Sequence, residues 1–233
     1  MALLQIAQTG HFFQQLYKIL LTALAYYIAG ALGLTLALPP GYATIFWPAS
    51  GLAVAAVYVY GPVVSIGVFL GSASLNFISY FPHTPIENLH ILYMNACLIG
   101  FASSLQALLS SYLLRRFIPQ DTRLQKTKTN IMFLLLAGPV ACLTASSIAI
   151  SALIGTKTIH IEQAPFMWWT WYIGDTLGVI VFAPLLAIIL KRRDISVRRK
   201  LSVTPPMLAI FAIVILLFFP GYSLGKNAQG RNI

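Results

Sequence analysis

The chain has 233 residues, of which 58% are hydrophobic and only 9% charged, with a formal net charge of +10. A soluble globular domain carries roughly 25% charged residues, so this composition excludes one and places the chain in the membrane class. The positive excess is not a nucleic-acid surface either, because it is confined to short connectors between long uncharged runs.

Between Lys18 and Glu87 there are 68 consecutive residues without Asp, Glu, Lys or Arg. A helix needs about 20 apolar residues to span a bilayer, so this run holds three spans and two turns. Residues 1–15, MALLQIAQTGHFFQQ, lack the basic start of a signal peptide, and no small-residue cleavage site follows the first apolar run. The first span is therefore expected as a retained helix over 16–38, with 1–15 lying along the cytoplasmic surface as a short amphipathic piece. Pro39-Pro40-Gly41 ends it.

The second span falls at 42–60 and contains TIFWPASG, residues 44–51. Pro48 has no backbone donor and disfavours helix at Trp47, so the helix starts or breaks there. From Pro48 to Tyr60 the chain rises only about 20 Å as a helix, short of a core of about 30 Å. Residues 42–47 must then enter the bilayer as irregular backbone, which is tolerated only where protein surrounds it. A pocket is expected at this point.

The remaining spans fall at 62–80, 88–114, 130–154, 165–190 and 204–220. None of these runs alternates as the strands of a membrane barrel would. The expected fold is all-α: one polytopic transmembrane bundle of about seven spans covering 1–233, without internal repeats. Lys18 and the clusters Arg115 to Lys128 and Lys191 to Lys200 place twelve basic residues on one side, against Lys157, Lys226 and Arg231 on the other. The positive-inside rule then puts the N-terminus in the cytoplasm.

Membrane helices associate through close packing of small residues. Gly67 and Gly71 form one GxxxG pair and Gly174 and Gly178 another. They suit packing within the chain and a homodimer equally well. Cys97 and Cys142 both fall inside spans and form no CxxC motif.

Asp175 is the only charged residue deep in any span. It lies roughly 15 Å from the outer end of the sixth helix. An acid at such depth costs roughly 2.5–3.5 kcal/mol on insertion scales, so it must face the interior, be protonated or find a partner. No Lys or Arg sits at comparable depth, and the available partners are neutral, Asn76 and Asn95 foremost. Two readings stay open: a ligand site or proton-sensitive switch, and a hydrogen-bonded clamp between helices. Trp168, Trp171 and Tyr172 precede Asp175 by 7, 4 and 3 residues and can share its helical face, whereas Trp169 points elsewhere as a lipid anchor. Indole also favours the membrane interface whatever its function.

His83, Glu87 and His90 in one outer loop and His160 and Glu162 in another are competent metal ligands by type. Pro85 interrupts the spacing of the first set, and solvated loop residues are the default, so no metal site is expected. Only five acids occur in the whole chain, and GxSxG, P-loop, HExxH and GxGxxG motifs are all missing. No catalysis and no cofactor are expected.

Four blocks together resemble the first type of the MASE family of membrane-associated sensor domains: FWPASGLAVAAVYVYG at 46–61, GVFLGSASLN at 67–76, LLRRFIP at 113–119 and WWTWYIGDTLGVIVFAPLLAIILKRR at 168–193. They cover about 46–193. The resemblance implies a bacterial inner-membrane input module linked to a cyclase, phosphodiesterase or kinase. It also singles out Trp47, Pro48, Gly51, Asn76, Gly174, Asp175, Gly178 and Pro184. Relatives usually continue into a cytoplasmic output domain, whereas the 233 residues end at FFPGYSLGKNAQGRNI, which seven spans would place outside. The expected partners are the lipid bilayer and such an output domain. The competing reading is a small proton-coupled transporter or channel using Asp175.

Overall fold

The computed structural model describes residues 2–35, 44, 46–117 and 136–191. The expected seventh span at 204–220, the Pro39-Pro40-Gly41 turn and most of both basic connectors lie outside the described residues. Residues 1–190 form one compact unit and 191–233 a second, of which only Lys191 is described. All regular structure among the described residues is helical: α1 (Ala2–Leu34), α2 (Pro48–Tyr60), α3 (Ser65–Tyr80), α4 (Leu89–Phe117), α5 (Ala141–Gly155) and α6 (Ala164–Lys191). A wide π-type turn, Leu136–Val140, carries Pro139 and leads into α5.

Five helical stretches are long and apolar enough to cross a bilayer: Gly10–Leu34, Pro62–His83, Ile86–Phe117, Gly138–Gly155 and Ile161–Ala187. Pro48–Tyr60 is apolar but shorter. Seven spans are thus not reached among the described residues. The first helix also departs from expectation: residues 2–15 do not form a separate surface piece but continue α1, which runs 33 residues without a break. No charge or proline interrupts that stretch, so nothing in it stops a helix.

α1 wears its polarity inside out. Leu16, Leu20, Leu24, Ile28 and Leu32, spaced four apart, are 39–57% exposed. The opposite face buries Thr22 and Tyr26. An apolar stripe turned outward beside an inner face of small and polar residues is the arrangement lipid favours. That inner face meets α3. A side chain on Gly67 would strike the Ile19 carbonyl and Thr22, and one on Gly71 the Ala23 carbonyl and Tyr26. α1 and α3 therefore run parallel, and the first GxxxG pair is used within the chain.

The next contacts fix the remaining directions. Gly100 of α4 abuts the Phe69 carbonyl and Ala73, and Ser104 Oγ donates to the Ser65 carbonyl at 2.6 Å, so α4 runs back along α3. Gln106 Nε2 donates to Cys142 Sγ at 3.1 Å, while Asn95 Nδ2 donates to Thr158 Oγ1 at 2.8 Å beyond the end of α5. α5 is thus antiparallel to α4. Pro184 lies inside α6 without ending it.

α2 begins where its sequence demands. Trp47, with φ −117° and ψ 89°, is its extended N-cap, and Pro48 occupies the first helical position, where its missing N–H would be unpaired anyway. Nine of its thirteen residues are buried. The helix too short to span the membrane is thus encased in protein, as the solvation of its ends requires. At its far end Gly61 adopts φ +99°, a left-handed conformation that glycine takes without penalty. There Arg115 Nη2 donates to the carbonyls of Tyr58 at 2.8 Å and Val57 at 3.3 Å, and its guanidinium stands 5.7 Å from the Tyr58 ring centroid. Lys18 Nζ lies 5.6 Å from the Tyr60 ring centroid. Two cations so gather where α2 exposes its last carbonyls and the negative end of its dipole.

Candidate functional site

The site grows from the docking of the α2 N-terminus onto α6. The Trp47 N–H donates to the Gly174 carbonyl at 3.0 Å. Ser50 Oγ stands within hydrogen-bonding distance of two backbone carbonyls, Trp47 at 2.8 Å and Asp175 at 3.0 Å. Gly178 lets the segments close: any side chain there would meet the Trp47 carbonyl and Ser50, and one on Gly51 would meet the Gly178 carbonyl. The second GxxxG pair is therefore also spent within the chain. It presses irregular backbone against α6 and satisfies its polar groups there.

Beside this junction lies a cavity with an empty volume of about 560 Å³, its open mouth included. α1 contributes Tyr26 and Leu34, the segment before α2 contributes Thr44 and Trp47, and α3 contributes Ser72, Leu75, Asn76 and Tyr80. α4, α5 and α6 add Ile99, Ala102 and Ser103, then Ala145 and Ala149, then Trp171 and Asp175. Leu34 and Tyr80 are the last residues of α1 and α3, so the cavity reaches the end of the bundle away from Lys18 and Arg115.

One polar network lines it. Trp47 Nε1 donates to Tyr26 Oη at 3.4 Å, Tyr26 Oη donates to Ser103 Oγ at 3.2 Å, and Ser72 and Ser103 hydroxyls pair at 3.1 Å. Asn76 Nδ2 donates to the Ser72 carbonyl at 2.9 Å. Asp175 is the only residue of the lining with a formal charge. Among the described residues, no group donates a hydrogen bond to its carboxylate.

The structure brings together Trp47, Asn76, Trp171 and Asp175 of the expected candidates. It does not bring in Asn95, Trp168 or Tyr172. Asn95 is buried in a clamp with Thr158 and with Thr156, whose Oγ1 donates to Asn95 Oδ1 at 3.0 Å. Trp168 stacks on Tyr172, with centroids 5.3 Å apart and planes at 14°, and its Nε1 donates to Ser147 Oγ at 3.2 Å. Trp169 is 56% exposed, as its outward position on the helix led one to expect. His83, Glu87, His90 and His160 are exposed. Among the described residues no three His, Cys, Asp or Glu side chains are placed to share a metal ion.

The pocket was expected at the irregular segment 42–47, and Thr44 and Trp47 of that segment line it together with residues of α1, α3, α4, α5 and α6. Tyr26, Ser72, Tyr80 and Ser103 were not foreseen. Spacing held two of them: Tyr26 precedes Gly30 by four residues, and Ser72 precedes Asn76 by four, each pair on one helical face.

A family model, MASE1, matches residues 19–224, which is most of the chain. No curated protein and no solved structure gives a match.

Proposed function

The chain belongs to the MASE1 family of membrane-associated sensor domains, and from that premise we propose that it is a non-catalytic input module of bacterial signal transduction in which the cavity at Asp175 is the sensory site. The observation that carries this reading is the convergence of five helices and the segment before α2 on one cavity lined by a single acid. A ligand there touches every helix it would need to move. Binding shifts the equilibrium between two packings of the bundle by its difference in affinity for them. The seam that the cavity adjoins is the α2 N-terminus, held to α6 by backbone and hydroxyl contacts. The module sits in the cytoplasmic membrane with the N-terminus inside and passes the change to a cyclase, phosphodiesterase or kinase.

The test is a fusion of the whole chain to a diguanylate cyclase reporter. Asp175→Asn and Ala102→Leu, which puts bulk into the cavity, are each expected to change basal output at normal membrane abundance. Unaltered output from both variants overturns the reading.

A further inference from the structure

The lining has one formal charge, and it is negative. Among the described cations, Lys18 and Arg115 are held at the opposite end of the bundle against Tyr60 and Tyr58, and Lys157 is exposed in the turn after α5 and does not line the cavity. A carboxylate removed from water without a counter-charge is strongly destabilising, and no described donor relieves this one. An anionic ligand would add to the penalty, and a neutral donor would relieve it only in part. A cation offsets it.

The rest of the lining selects the kind of cation. Four of its residues are Trp47, Trp171, Tyr26 and Tyr80. Aromatic rings attract organic ammonium groups through their quadrupoles. The oxygen donors point the other way: the hydroxyls of Tyr26, Ser72 and Ser103 are tied to one another. Inorganic cations such as calcium or magnesium need about six oxygen ligands, and a chain of hydroxyls bonded among themselves does not supply them.

We propose that this cavity binds the ammonium group of a small organic amine, with the Asp175 carboxylate as counter-charge and the four aromatic rings as its cage. The proposal rests on the reading of the cavity as the sensory site and names the ligand chemistry. A free amine and the headgroup of an amine phospholipid share that chemistry.

The test uses the full chain in nanodiscs of phosphatidylglycerol, which has no amine, and follows tryptophan fluorescence. Choline is the probe, and 3,3-dimethylbutanol is its uncharged counterpart of the same shape. Choline is expected to give a saturable change at a concentration at least about tenfold lower than the alcohol. Asp175→Asn is expected to erase that preference. Trp171→Leu is expected to weaken choline more than Trp171→Phe does, which keeps the proposal testable should the Asp175 variant not fold.

Nanodiscs containing phosphatidylethanolamine separate the two sources. A loss of choline affinity there identifies a lipid headgroup as occupant, and an unchanged affinity identifies a free amine; both results support the cation site. Equal response to choline and the alcohol, no saturable response to either, or displacement of choline by sodium at lower concentration overturns it. The reporter fusion tells the two failures apart. If Ala102→Leu still alters output, the sensory cavity stands and only the ligand class falls; if it does not, the sensory reading falls as well.

Discussion

The amide of Trp47 donates to the carbonyl of Gly174, across 127 positions of sequence, at 3.0 Å. This bond joins the broken start of α2 to the helix that carries Asp175 and sets one wall of the cavity. It forms only because Gly178, one turn further on, has no side chain. Gly178→Ala is therefore expected to lower stability by roughly 1–3 kcal/mol through overpacking against backbone that cannot move aside. Thermal unfolding of the purified chain checks it, with Gly155→Ala as control, since nothing stands within 4 Å of a side chain there. A melting temperature unchanged in the Gly178 variant would show that the junction is loose.

At the opposite end of α2, Arg115 substitutes for the helix that does not continue. It caps two of the last carbonyls and lies over the Tyr58 ring. Arg115→Ala should destabilise by about 1–2 kcal/mol, from lost charge-assisted hydrogen bonds and dipole compensation. Arg115→Lys should recover only part, because an ammonium lacks the planar fork. Amide exchange at the end of α2 reads this locally: faster exchange is expected around Gly61, whose N–H bonds to the Val57 carbonyl at 3.0 Å.

Lys18 and Arg115 share one end of the bundle, and the Thr156–His160 turn follows the end of α5 that pairs with Asn95 near the start of α4. From the charge asymmetry of the sequence the first of these ends is expected inside the cell. His160→Cys is therefore expected to react with an impermeant maleimide in intact cells, whereas Arg116→Cys reacts only after permeabilisation. The reverse pattern inverts the topology.

Asn95 shows where the sequence stopped being informative. A lone amide in an apolar helix is visible in one dimension, but its partners Thr156 and Thr158 lie about 60 positions away and meet it only once α4 and α5 pair. Asn95→Leu should cost about 1–2 kcal/mol of stability while leaving reporter output per folded molecule unchanged. A change in output would return Asn95 to the signalling machinery. By contrast, the start of α2 at Pro48 was legible because proline constrains its neighbours locally, and the glycine pairs because close packing needs them. The inward face of α1 was not: in lipid the outer face is as apolar as any core, so Tyr26 stood out against no polar background. The continuation of α1 through residues 2–15 was missed for a related reason, since a helix there and an amphipathic surface piece share one pattern.

The choice between clamp and ligand site at Asp175 has an energetic signature that differs in sign. A clamp carboxylate accepts hydrogen bonds that hold helices together, so Asp175→Asn would remove them and destabilise the bundle. In the structure the Asp175 backbone carbonyl, not its side chain, accepts the hydroxyl of Ser50. No described group donates to the carboxylate, which lines a cavity built of aromatic rings and hydroxyls. Its burial is then a net cost in the absence of ligand, of the kind that functional sites carry at the expense of stability. Asp175→Asn, nearly isosteric and uncharged, is accordingly expected to raise stability by about 1–2 kcal/mol while altering output. Thermal unfolding of the ligand-free chain decides it: a melting temperature that falls in Asp175→Asn means that the acid is a clamp, and one that rises means that the protein keeps an unfavourable charge in place for something to bind.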